Sequence, residues 1–159
     1  MARWTGTWIQ GPGVTLGELR DPSTWPGSRL GLPKEGSGSV ATFSVRAFGF
    51  FLDIVACALV AGLVIGGIDH PTPDTRQLVS VSVLLAEQVL FVALFGQTLG
   101  MRFLGVKVLR LKDVSRPPGF VPALARAVPL ILTLGLAGFF TRDGRGAHDL
   151  VAGCVVVRD

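Results

Sequence analysis

Five ionisable residues stand where an apolar chain has little use for charge. Arg46 and Asp53 lie in VRAFGFFLDIVACALVAGLVIGG, Glu87 lies in LVSVSVLLAEQVLFVALFG, Arg126 sits among alanines and leucines, and Asp149 precedes the apolar run Val151–Val157. A charged side chain at the centre of a bilayer costs roughly 2.5–3.5 kcal/mol on insertion scales, so each is expected to face protein or water. Arg46 and Asp53 are two helical turns apart and share one face, but about 10 Å along the axis is too far for a direct pair. Each therefore needs another partner. Arg126 and Asp149 are the candidates, with Glu87 available to whichever cation comes near. Two readings stay open for these charges. One is a buried ion network that sets how the helices and tail pack; the other is a path for an ion or solute, which intramembrane ionisable residues commonly mark. Glu87, in mid-span with no local partner, has the strongest claim to the second.

Other chemistry finds little support. There is no Gly-rich phosphate loop, no nucleophile elbow and no paired metal-ligand spacing, and tyrosine is absent. His148 beside Asp149 makes a poor metal site, because His70 is the only other histidine. Cys57 and Cys154 are too few for a disulfide framework and read as small buried hydrophobes. The expectation is a protein that is not an enzyme and carries no metal or cofactor.

The elements that must position these residues are membrane helices. Only 16% of the 159 residues are charged and 49% are hydrophobic, against roughly 25% charged in a soluble domain. A first span is expected over 45–67 and a second over 78–96, each close to the roughly 20 apolar residues a bilayer core requires. Pro71 and Pro73 in DHPTPD break the helix between them, so the two form a hairpin. Gly62 and Gly66 make a small-xxx-small pair that lets another helix approach closely. In the second span, Ser80, Ser82, Glu87 and Gln88 are able to bond across helices. The third apolar stretch, 121–140, is interrupted by Arg126 and Pro129, which leaves its clean part short for a crossing. It reads as re-entrant or interfacial, with a tilted crossing from Val121 as the alternative.

Between the second and third stretches lie Arg102, Lys107, Arg110, Lys112 and Arg116, which belong on the cytoplasmic side by the positive-inside rule. Two crossings earlier, the N-terminus is then cytoplasmic too, and Arg142, Arg145 and Arg158 keep the tail there. The alternation in VKVLRLKD suits a short strand or an interfacial segment. The net charge of +4 sits beside the apolar spans, which suits an anionic lipid surface; no aromatic-interleaved basic face points to nucleic acid. Residues 1–40 form a polar leader rich in Gly, Pro and Ser, followed by a membrane domain over 41–159. The first twenty residues hold no continuous apolar run, so the first span is expected to insert the chain. Trp4, Trp8 and Trp25 all fall in the leader, either as interfacial anchors or as docking residues for a partner.

The ordered motifs resemble those of the RDD family of bacterial membrane proteins, in the form found in high-GC Gram-positive bacteria. The family's arginine and first aspartate correspond to Arg46 and Asp53 in VRAFGFFLDIV. FGQTLGMRFLGVKVLRLKD is similar to the family's motif after the second helix, although Gln97, Leu99 and Met101 replace the usual arginine, proline and lysine. Those replacements weaken any reading of that loop as an anion site. GAHDLVAGCVVV is similar to the terminal motif and makes Asp149 the second aspartate. The resemblance covers residues 40–159 and implies a multi-pass protein of the bacterial plasma membrane, with transport of unknown ligands the usual suggestion for the family. The expected fold is all-α: a transmembrane hairpin plus a third short or re-entrant helix. The expected function is an accessory subunit of a larger membrane complex, with a respiratory-chain complex as host, its partners being lipids and other integral membrane subunits. The alternative is a small ion or solute transporter working as a homo-oligomer.

Overall fold

The structure, a computed structural model, describes residues 25–114, 116–135, 141–142 and 144–159. Two long helices dominate. Helix α1 runs Phe43–Gly66 and α2 runs Pro73–Phe95, 24 and 23 residues, or about 35 Å each. That length exceeds the roughly 30 Å of a bilayer core. Thr72 starts α2 by accepting the Thr75 N–H at 3.2 Å, and Pro73 fills a first-turn position where no N–H is needed. At the far end Gly96, at φ 70°, returns its N–H to the Val92 carbonyl.

Only 28% of the most apolar window of α1 is buried, and 22% of that of α2. The core helix of a water-soluble domain would be mostly buried. Leu59 and Leu63 are 69% and 81% exposed. Each large apolar side chain left in water forgoes about 1.5–3 kcal/mol, a loss that vanishes in hydrocarbon. These two are membrane helices.

A third apolar helix, α4, runs Phe120–Leu132. It follows the short helix α3, Leu99–Phe103, and the strand β1, Val106–Arg110. At about 20 Å it is too short to cross. It stops early because the Thr133 hydroxyl bonds back to the Pro129 carbonyl at 2.7 Å. Leu134 and Gly135 then adopt positive φ, and the Gly135 N–H returns to Leu130. This is the short third element that the sequence predicts. The remainder of that stretch, 136–140, lies outside the described residues.

An all-α fold is corrected in one respect, because the chain also builds sheet. Strand β4, Cys154–Arg158, pairs antiparallel with β1 in the register Val106↔Arg158 to Arg110↔Cys154. On its other edge the Ala41 N–H donates to Val156 and the Arg158 N–H to Ser39, both at 2.9 Å. Two two-residue strands, β2 (Thr141–Arg142) and β3 (Arg145–Gly146), form a second ribbon before the short helix α5, Ala147–Val151. The valines of β4 are buried on both faces, as a strand covered on each side must be. Val106, Val108 and Val156 pack with Val92, Met101 and Ala123 at the end of the hairpin where α1 begins. The tail therefore closes on the same end of the hairpin as the segment that precedes α1.

Candidate functional site

Asp149 is fully buried at the start of α5 and draws three elements together. Its Oδ1 accepts the Arg126 Nε–H of α4 at 2.7 Å, and its Oδ2 accepts an Arg46 terminal N–H of α1 at 3.3 Å. Burial alone would raise the Asp149 pKa, but the neighbouring cations, Arg126 foremost, outweigh it and hold the carboxyl below its usual range. His148 Nε2 lies 3.4 Å from the same carboxylate. Burial drives the His148 pKa down to about 4, so this contact joins a neutral imidazole, not a cation, to the carboxylate. Arg145 holds the turn in place, giving its Nε–H to the Cys154 carbonyl at 2.8 Å and a terminal N–H to the Asp149 carbonyl at 3.3 Å. Arg46 reaches Asp149, and Arg126, named from sequence as a candidate partner for the charges of the first span, bonds to Asp149 as well.

Asp53 pairs with no cation among the described residues. Its Oδ2 accepts Gln88 Nε2 at 3.0 Å and the Thr98 hydroxyl at 2.7 Å, while its Oδ1 accepts the Gly100 backbone N–H at 2.6 Å. Glu87 takes none either; its Oε1 accepts the Leu99 N–H at 3.0 Å. Thr98 caps the third N–H, that of Met101, at 3.2 Å. The first-turn N–H groups of α3, which no helix can satisfy internally, are thus met by two carboxylates and a hydroxyl of the same chain. The Leu99 and Gly100 N–H groups of the TLGM loop are taken up by the carboxyl groups of Glu87 and Asp53 from the two spans.

The glycine in that loop is required by distance. A Cβ on Gly100 would lie 2.1 Å from the Gly49 carbonyl oxygen of α1, so the two backbones touch. Thr98, Gly100 and Gln88 complete the Asp53 site, and neither Thr98 nor Gly100 stands out in the sequence as chemistry. Their signal was the TLG spacing directly after a Gly-capped span, which suits an N-cap followed by a close approach.

Of the remaining residues singled out by sequence, Trp25 is half-buried and gives its indole N–H to Leu32 O at 2.9 Å. Trp4 and Trp8 lie outside the described residues. Gly62 and Gly66 are exposed on α1, and a Cβ on either would meet nothing within 4 Å. Cys57 and Cys154 are buried free thiols.

Between α1 and α4, with Gln88 of α2 at its inner wall, lies a cavity of about 310 Å³. Arg46, Asp53, Gln88, Arg126 and His148 supply its polar lining. Three buried polar atoms without a hydrogen-bond partner among the described residues belong to this lining: Arg46 Nε, Gln88 Oε1 and His148 Nδ1.

Two long lipid-facing helices, a third short one and a buried Arg–Asp clasp define a small helical membrane protein. Residues 40–153 match the RDD family, and the chain belongs to it. An uncharacterized protein of Haemophilus influenzae is 26% identical over 114 residues, covering 64% of this chain and 72% of its own. No solved structure matches.

Proposed function

We propose that this RDD-family protein is a non-enzymatic accessory subunit, held in a larger membrane complex by the Gly62–Gly66 face of α1. The observation that carries this reading is that face itself. It lies on a spanning helix and is lined by small residues, with nothing of the described chain within 4 Å of either glycine's Cβ position. In lipid, helices associate through close backbone approach at such positions, because apolar side chains alone gain nothing over acyl tails. The internal pairing of the charges supports the same reading. Arg46 and Arg126 share the Asp149 carboxylate, and Asp53 has both oxygens occupied. These groups tie the helices and tail together, and association with other subunits falls to the outer surface. A respiratory-chain complex is the host we propose, with a cytoplasmic N-terminus, a reading supported by the arginines and lysines between the second and third apolar stretches.

Tagged protein recovered from native membranes in mild detergent should bring down a stoichiometric set of integral membrane proteins. Gly62→Leu with Gly66→Leu should release them while the subunit still inserts. Recovery of the tagged chain alone, or as a homo-oligomer, sinks this reading.

The second reading, a transporter, rests on one atom. Glu87 Oε2 is buried and has no hydrogen-bond partner among the described residues. Glu87→Gln keeps an acceptor for Leu99 and removes the titratable group. Ion flux in proteoliposomes that is unchanged by this substitution ends the transport reading.

A further inference from the structure

The cavity between α1 and α4 has Arg46, Arg126 and His148 toward the start of α1, and Phe50, Phe51, Ile54, Leu130 and Leu134 farther along. There Asp53 and Gln88 add a second polar patch. Asp149 holds Arg46 and Arg126 at one level, at 3.3 and 2.7 Å. Beyond that level both helices run the same way, since Phe50 of α1 lies against Gly135 at the end of α4. The cavity follows them, from the two arginines past Phe50, Phe51 and Ile54 on one side and Leu130 and Leu134 on the other. Arg46 is the fourth residue of α1, about 5 Å from its start, so it sits near the level of lipid headgroups. Phe50, Phe51 and Ile54 lie about 6–12 Å deeper, at the depth of acyl chains. Asp53 at the same depth is held by Gln88, Thr98 and Gly100. The cavity opens sideways, because Phe51 and Leu134 in its lining are 56% and 77% exposed on the apolar surface.

The polar end favours an anion. Asp149 is fully buried behind the arginines and does not line the cavity. Asp53 does line it, but both its oxygens already accept hydrogen bonds. Each arginine commits a single nitrogen to Asp149. Arg46 Nε is buried and has no hydrogen-bond partner among the described residues. Guanidinium forks bind carboxylates and phosphates through paired N–H groups. Cations are disfavoured beside two arginines, and a wholly polar anion would leave the phenylalanine-lined half empty.

We propose that this cavity binds a membrane amphiphile, with its anionic head on Arg46 and Arg126 and its chain along Phe50, Phe51, Ile54 and Leu130. The head is a phosphodiester or a carboxylate, and the ligand enters laterally from the bilayer. At about 310 Å³ the cavity falls at the lower end of ligand pockets, enough for the head and the upper part of one chain. The site is independent of the Gly62–Gly66 face, so failure of either leaves the other standing.

The test is native mass spectrometry of the full chain in detergent, with dioleoylphosphatidylglycerol, oleate, dioleoylglycerol and inorganic phosphate as probes. Bound phosphatidylglycerol or oleate should exceed dioleoylglycerol by about tenfold, the factor one charge-assisted hydrogen bond supplies. Inorganic phosphate should not bind. Phosphatidylglycerol alone identifies a phospholipid head, and oleate alone a fatty-acid carboxylate. Arg46→Gln removes a member of the clasp, so the deciding variant is Ala47→Trp, which adds an indole at the cavity wall and leaves Arg46, Arg126 and Asp149 unaltered. Its thermal midpoint should stay within a few degrees while the bound amphiphile is lost. Equal binding of dioleoylglycerol, binding that Ala47→Trp leaves intact, or no binding at all overturns the proposal.

Discussion

Asp149 concentrates more of this fold in one carboxylate than any other side chain described. Removing one member of a buried ion pair leaves the other charge without compensation and typically costs about 3–5 kcal/mol. Asp149→Asn strands two arginines, so it should lower stability by at least that amount; a detergent melting curve within about 1 kcal/mol of the parent would refute the clasp. His148 adds a pH dependence with a definite sign. Its pKa falls from 6.5 in the unfolded chain to about 4 in the fold, under burial that the Asp149 charge only partly offsets against Arg126 and Arg46. Between those values the unfolded state binds the extra proton. Stability is therefore full above about pH 6.5 and declines as the pH drops toward 4, by up to about 1.4 kcal/mol per unit. Asp149, held below its usual range, adds a further loss at still lower pH. His148→Gln should flatten the slope between pH 6.5 and 4, and an unchanged slope would assign it to another group.

At the scale of elements, α3 is the least self-sufficient piece. Five residues are too few to hold a helix alone, and its first-turn N–H groups would be unsatisfied beside lipid without Asp53, Glu87 and Thr98. Gly100 lets it reach them. Gly100→Ala places a methyl group on the Gly49 carbonyl and should cost about 1–3 kcal/mol, since neither backbone yields easily. A thermal midpoint equal to the parent's would show that α1 and α3 do not touch. The Arg46–Asp53 spacing made it plain from sequence that each needed a partner elsewhere. That Asp53 would find a helix N-terminus and not an arginine was hidden, because Thr98 and Gly100 are unremarkable residues whose importance comes from where α1 carries them. The strand nature of VKVLR was legible in its alternation, whereas its pairing with CVVVR joins segments nearly fifty residues apart and leaves no local trace.

For the whole molecule, the decisive geometry is that both flanks of the hairpin meet at one end. Ser39, Ala41 and β4 share hydrogen bonds, and Lys107 Nζ lies 2.5 Å from Asp159 Oδ1. In a variant with Cys57→Ala and Cys154→Ala, single cysteines at Ser37 and Asp159 should label from one side of sealed vesicles, and one at Asp69 from the other. Labelling of position 159 from the side of Asp69 would mean that α4 crosses after all. Membrane residence, the hairpin and the family were determined by sequence alone, because long apolar runs, proline breaks and ordered motifs are local features that no packing can erase. Which charges meet was decided only by the tertiary structure. An ion pair needs its partners within a few ångströms, and the 103-residue separation of Arg46 from Asp149 is closed by the return of the tail onto the hairpin, not by any spacing along the chain.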